Sequence, residues 1–408
     1  MINLKKSVCV LVSFLMAFGL TACRPEEPNA TAGVKAAVEQ NTLESVSAEQ
    51  LSQKTPAHIS KSYGENFSVE ADVHVPKVEK ADILFTKLMS YDEQKAVSIF
   101  YNGKTPQKTE NSASDSVAYS DGDSELTFFP GSLNYRTQAF AYYKFPTDSF
   151  TANYETDSMR PKLSEVYKQE NLSFMTRANA LESVSNILKE LPLDVIADAE
   201  IYAIDYKTMQ IQQDERIQKE ADRLKSIGMT PTNNKSTSDP TLGYETKDTF
   251  TPDDDFYWLF FTTKQNGIPV TQKTYTVQAN ERGMNGAFIE VQFSKSGIME
   301  LSCSSVYQQQ SVAESPNAFL PVEKALQNAF DIENAVISSD KIKVTAIDFE
   351  YVPVPYNDNY EDVKLVPAWS LTLSDESTMP SKDGKGGTET SVYTRMLFIN
   401  AVTGERIK

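Results

Sequence analysis

The strongest pattern in the chain is a series of period-two alternations separated by a few helical stripes. Phe67, Val69, Ala71, Val73 and Val75 alternate with Ser68, Glu70, Asp72 and His74. This predicts a half-buried strand with His74 on its wet face. Ser90 with Glu93 three positions later predicts a capping box. The helix it opens would bury Val97, Phe100 and Tyr101 and close at Asn102-Gly103. A polar loop over 104–115 leads to a segment, 126–145, that reads as two or more strands around Pro130-Gly131.

A second group opens with Thr176 as a helix cap, a stripe of Leu181, Val184, Leu188 and Leu191, and a stop at Pro192. A short strand over 199–206 precedes a charged helix marked by Ile217, Ala221, Leu224 and Ile227 and ended by Gly228. After a polar loop over 230–251, residues 256–263, the turn Asn266-Gly267 and residues 270–277 predict a long hairpin. Ala287, Ile289, Val291 and Phe293 alternate up to Lys295-Ser296-Gly297, and Met299, Leu301 and Cys303 alternate back. Cys303 thus points inward, as a buried, inert thiol.

In a third group Pro321 precedes a helix with Val322, Ala325, Leu326, Ala329 and Phe330 on one stripe, and strands follow over 342–354, 364–373 and 393–401. Trp258 and Trp369 occupy comparable strands in the second and third groups, and each group reaches a glycine turn, at Gly297 and Gly404, which suggests a duplication. The fold class expected is therefore α+β, with helices packed on small antiparallel sheets. Its parts would be an N-terminal α+β unit over 63–160 and two repeated units over 165–310 and 316–408.

The N-terminal end changes the picture. Lys5 and Lys6 precede an apolar run, 8–20, that is too short for the roughly 20 residues a spanning helix needs, so it predicts an export signal over 1–22. The run ends in Leu20-Thr21-Ala22-Cys23, which resembles the lipobox of bacterial lipoproteins. That resemblance implies a diacylglyceryl group on Cys23, a mature chain starting there, and a place on the extracytoplasmic face of the cell membrane. The alternative is an ordinary secretory signal ending in a chance cysteine. Residues 23–62 lack an aromatic residue before position 63 and are rich in Pro, Ala, Thr, Ser, Glu and Gln, which predicts a flexible tether with a reach on the order of 35 Å.

Composition bears on partners. With 39 basic and 56 acidic residues in 408, the formal charge is −17, which argues against nucleic acid. Three cysteines, two of them in the first 23 residues, make no disulfide framework.

The C-terminal residues Leu365-Val366-Pro367-Ala368-Trp369 and Phe398-Ile399-Asn400-Ala401-Val402-Thr403-Gly404-Glu405 resemble the PepSY superfamily and the related YycH and YycI envelope regulators. The likeness is good over 316–408, weak over 176–306 and slight before that. It implies a helix on a small antiparallel sheet, and a role in inhibiting a secreted peptidase or contacting a membrane sensor. The whole chain also resembles clostridial-type lipoproteins of uncharacterised activity, which implies no chemistry.

Catalytic motifs are scarce. His58, in the tether, and His74, on a wet face, leave no buried imidazole for a Ser-His-Asp triad or a zinc site. Gly103-Lys104-Thr105 imitates the end of a phosphate loop but follows a helix, and Ser338-Ser339-Asp340-Lys341 has S-x-x-K spacing without its partner motifs. Asp253-Asp254-Asp255 and Asp121-Gly122-Asp123-Ser124-Glu125 offer oxygens for calcium but read better as solvated turns. No cofactor and no metal are predicted. Trp258 and Trp369 would stack on a sugar or anchor the core. Tyr356 and Tyr360, with acids between them, make the loop 353–367 a contact surface.

The reading that results is a lipid-anchored binding protein and not an enzyme. It would touch a second envelope or secreted protein through sheet edges, Tyr356, Tyr360 and Trp369. Alternatives are a carrier of a peptide or glycan held between the repeats, and a hydrolase with paired carboxylates.

Overall fold

Strands hold 44% of the described residues and helices 25%, and the strands gather into two large sheets, of seven and eight strands. That overturns the expectation of helices packed on small antiparallel sheets. Each alternating segment is short, but the segments pair across long sequence separations, so the sheets grow far beyond what neighbouring strands would build. The computed structural model describes residues 45–143, 160–228, 246–277, 282–335, 340–356, 362–380 and 388–408.

Helix α1 (Ala48–Lys54) is followed by β1 (His58–Ser62), β2 (Phe67–His74) and β3 (Ile83–Leu88), which enter the seven-stranded sheet. After α2 (Glu93–Tyr101), the meander β4 (Gln107–Asn111), β5 (Ser116–Ser120), β6 (Ser124–Phe129) and β7 (Ser132–Thr137) starts the eight-stranded one. Helices α3 (Arg160–Val166) and α4 (Arg177–Glu190) lead to β8 (Glu200–Ile204), then α5 (Tyr206–Ser226) and β9 (Phe256–Phe261). Two small ribbons follow, β10 (Lys264–Gln265) with β11 (Ile268–Pro269) and β12 (Tyr275–Val277) with β13 (Arg282–Met284). Strands β14 (Phe288–Ser294) and β15 (Gly297–Ser304) complete the second sheet. The chain then returns to the first with β16 (Tyr307–Glu314), α6 (Val322–Asn334), β17 (Lys341–Pro355), β18 (Asp362–Pro380) and β19 (Thr388–Asn400).

The eight-stranded sheet runs β4-β5-β6-β7-β15-β14-β9-β8, antiparallel throughout. The seven-stranded sheet runs β1-β2-β17-β18-β3-β16 with β19 also on β18. One edge of β18 is divided: Asp362 to Leu365 pair with β3, and Ala368 to Pro380 pair with β19. The β2–β17 pair is parallel. Both sheets therefore mix strands from the stretch 63–160 with later ones, so the expected N-terminal unit and two repeats do not form separate small sheets.

Period-two geometry assigns the faces. In β17, Ile347 and Phe349 point to a core that includes Trp369 and Leu371 of β18, Ala325, Leu326 and Ala329 of α6, and Leu51 of α1. The Phe349 and Trp369 rings meet edge-on at 5.2 Å. Asp348 and Glu350 consequently lie on the opposite face, with Ser370 and Ala368 as their register partners. Strand β9 is buried along its whole length, with Tyr257, Leu259 and Phe261 in one core and Phe256, Trp258 and Phe260 in another.

Three local expectations need correction. The stretch 23–62 is not tether to its end. Ser47 caps α1 in a capping box, Leu51 is 1% exposed, and β1 pairs residue for residue with β2. Helix α2 starts from Asp92, whose side chain accepts from the Lys95 N–H at 3.0 Å, so Ser90 is not the cap. The long hairpin around Asn266-Gly267 shrinks to two residue pairs. The turn itself forms, with φ of 51° and 84°, but Val270 leaves the ribbon to bridge Tyr351 of the seven-stranded sheet, and the Thr271 N–H donates to the Tyr351 carbonyl at 2.9 Å. That crossover carries Lys273 onto the polar face of β17.

Candidate functional site

The crossover borders a cleft of about 680 Å³ lined by residues of both sheets. His74, the last residue of β2, is the parallel register partner of Asp348, so both side chains share a face, and His74 Nδ1 lies 3.0 Å from Asp348 Oδ1. Lys273 Nζ donates to the other carboxylate oxygen, Oδ2, at 3.2 Å. Glu350, two residues along the strand, is 7% exposed, and its Oε1 has no hydrogen-bond partner. The Ser370 hydroxyl, on the neighbouring strand, is buried beside it. Pro76, Ile196, Pro269 and Ala346 supply apolar wall, and Glu200 and Gln272 complete the lining.

Gly286 allows the crossover to lie this close. A Cβ there would fall 2.5 Å from the Gln272 carbonyl carbon and 2.7 Å from the Lys273 nitrogen, both backbone atoms. Any side chain at 286 would push the Lys273 segment away.

The electrostatics of the two acids diverge. Burial alone would raise the Asp348 carboxyl, but the hydrogen bond with His74 and the charge of Lys273 together hold it below its ordinary value. Burial pushes Glu350 up. Lys273 opposes the rise, the Asp348 charge adds to it, and the Ser370 and Thr271 hydroxyls pull it down in part. His74 is raised by its bond to Asp348 against a smaller opposing effect of burial. Both oxygens of Asp348 are thus held by basic groups and are not free to act as nucleophile or base. Glu350 retains an open acceptor oxygen, and the arrangement suits reception of a donor better than bond cleavage.

The residues anticipated from sequence lie elsewhere. Trp369 is fully buried and its Nε1 donates to the Leu320 carbonyl at 2.8 Å, so it anchors the core and cannot meet a ligand from solvent. Trp258 is likewise buried, bonded to Glu290. Tyr356 is 40% exposed, with its ring 5.0 Å from that of Phe85 and Lys364 Nζ 6.0 Å above it. Tyr360, Cys23, Ser338 and Ser339 lie outside the described residues. His58 sits in β1, exposed, 2.8 Å from Asp72 and 3.1 Å from Glu70. Cys303 is buried, and burial pushes its thiol well up.

The acidic clusters serve the fold. Asp254 accepts from the Tyr143 hydroxyl at 2.6 Å, the Thr251 N–H at 2.7 Å and Lys247, and Asp255 accepts from the Tyr206 N–H at 2.8 Å. Asp121 accepts from the N–H groups of Asp123 and Ser124 and pairs with Lys104 at 2.6 Å. Among the described residues no three His, Cys, Asp or Glu side chains are grouped to hold a metal.

Sequence reasoning missed Lys273, Asp348 and Glu350 because strand pairing and a crossover bring them together. The available signal was two acids at i and i+2 inside the apolar run 342–354, where one face had to carry both.

No protein-family model matches the chain, and no curated protein matches it in sequence. Among solved structures it is similar to an uncharacterised protein from Eubacterium rectale ATCC 33656, with a TM-score of 0.59 and 16% identity over 86% of this chain and 94% of that one. At that identity the likeness establishes a shared fold and nothing about activity. Among the described residues no helix is long and apolar enough to cross a membrane.

Proposed function

We propose that the protein is a lipid-anchored extracytoplasmic binding protein that holds a small ligand in the cleft between its sheets. The observation that carries this reading is the open Oε1 of a 7% exposed Glu350 on the cleft wall. A buried carboxyl oxygen without a donor is costly, and a ligand that supplies one recovers that cost on binding. Native mass spectrometry of the full protein taken gently from its own membrane is the test. A small molecule retained by the wild type and lost from Glu350→Gln supports the cleft, and an empty wild type overturns it. The anchor rests on the lipobox-like sequence at Cys23. Cys23→Ala is expected to leave the protein unprocessed or released, and unchanged membrane retention of a processed chain would rule out the acyl group.

A second reading, regulatory contact with another envelope protein, is favoured by the outer edge of β19. Val392 and Tyr393 are 61% and 48% exposed there, and β18 is the strand's sole ladder partner among the described residues. Crosslinking from position 393 in the native envelope tests it, with capture of one defined protein as the supporting result and no adduct as the opposing one.

A further inference from the structure

The chemistry of the cleft also points to the class of ligand, an inference that rests on the cleft being a ligand site. Asp348 is satisfied by His74 on one oxygen and Lys273 on the other. Glu350 has no salt bridge among the described residues, and its Oε1 accepts no hydrogen bond. Beside it the buried Ser370 hydroxyl favours the charged form of Glu350. One unpartnered acidic oxygen therefore belongs to the wall of a cleft that also includes Pro76, Ile196, Pro269 and Ala346.

We propose that this cleft binds a primary ammonium group carried on an apolar body, with the ammonium donating to Glu350 Oε1. An ammonium has three N–H donors and no acceptor, which suits a carboxylate oxygen that lacks a donor. A neutral hydroxyl would satisfy the geometry at Glu350 but add no charge to a buried carboxylate that Lys273, bonded to Asp348, only partly compensates. The formal charge of −17 adds a field that concentrates cations near the surface and repels anions.

Seating an ammonium requires the carboxylate form. Glu350 is pushed up by burial and by Asp348, and is opposed by Lys273 and by the Ser370 and Thr271 hydroxyls. Binding at mildly acidic pH therefore expels a proton, and affinity rises with pH. His74, on the far side of Asp348, reinforces that direction as it loses its own charge, and Glu200 lies on the same cleft wall.

The test is calorimetry of the full chain with hexylamine and hexan-1-ol, at about pH 5 and about pH 8, in buffers of different ionisation enthalpy. The expected result is hexylamine bound about tenfold or more tighter than hexanol, with proton release at the lower pH. Glu350→Gln should abolish that preference while melting no lower than the wild type. Hexanol bound as well as hexylamine, or an amine preference that survives in Glu350→Gln, overturns the ammonium assignment while leaving the cleft as a site. Binding of neither compound overturns both.

Discussion

Glu350 is a carboxyl that the folded protein holds in its less favourable environment, and the consequence is measurable without any ligand. Its folded-state value is raised, so its contribution is complete below the ordinary 4.5 and is lost as pH rises through the raised value. Glu350→Gln is accordingly expected to stabilise the empty protein by about 1 kcal/mol or more near neutral pH, with the gain shrinking toward pH 4.5. Denaturant unfolding at several pH values checks this, and a uniform loss of stability would contradict it. His74 and Asp348, bonded to each other, carry opposite pH dependences. The raised His74 contributes fully below 6.5 and fades as pH rises through its folded value, while the lowered Asp348 contributes above 3.8 and fades as pH falls. Their bond is therefore strongest in mildly acidic solution. Removing the shared cation by Lys273→Met leaves two acids facing each other and is expected to cost about 3 kcal/mol. Chemical denaturation of the variant reads the loss.

Among the elements, α1 and β1 show how far sequence reading carries. The stretch before Tyr63 lacks aromatics and reads as spacer, yet Val46, Ala48 and Leu51 give seven residues of helix a place in the core, and β1 needs only a partner edge, which β2 supplies. Three buried aliphatic residues, two of them small, are below the threshold at which composition signals order. Leu51→Ala is expected to destabilise by about 2–5 kcal/mol and to open the stretch 47–62 to limited proteolysis before the rest of the chain. The alternations of β2, β14, β15 and β17 were legible because each strand imposes its own period. Their partners were not, since nothing local in β17 indicates that β2 lies alongside. The hairpin at Asn266-Gly267 failed for a similar reason: the turn is encoded by its two residues, but the length of the arms is decided by Val270 finding Tyr351 in the other sheet. The cleft was hidden because a lysine, a histidine and two acids each resemble ordinary solvent-facing residues until the crossover and Gly286 bring them together. Gly286→Ala is expected to displace that crossover, weakening the Lys273–Asp348 contact and lowering the melting temperature.

Taken as a whole, the seven-stranded sheet has its centre in the C-terminal third of the chain but needs strands from near the start. Strand β17 is flanked by β2, and β18 shares one edge with β3. A fragment of residues 316–408 is therefore expected not to fold alone, and to regain structure when mixed with residues 43–315. Circular dichroism and proton-shift dispersion of the separate and combined fragments decide it, and a folded isolated fragment would contradict the interdependence.

The parallel pairing of β2 with β17 also sets a timetable for a newborn chain. His74 and Asp348 are 274 residues apart, so at about 5–20 residues per second the ribosome takes roughly 14–55 s to deliver the neighbour that β2 requires. Throughout that interval a greasy ribbon waits with one flank bare, an invitation to stray pairing, and a cell making this protein has reason to keep a holdase near the emerging polypeptide.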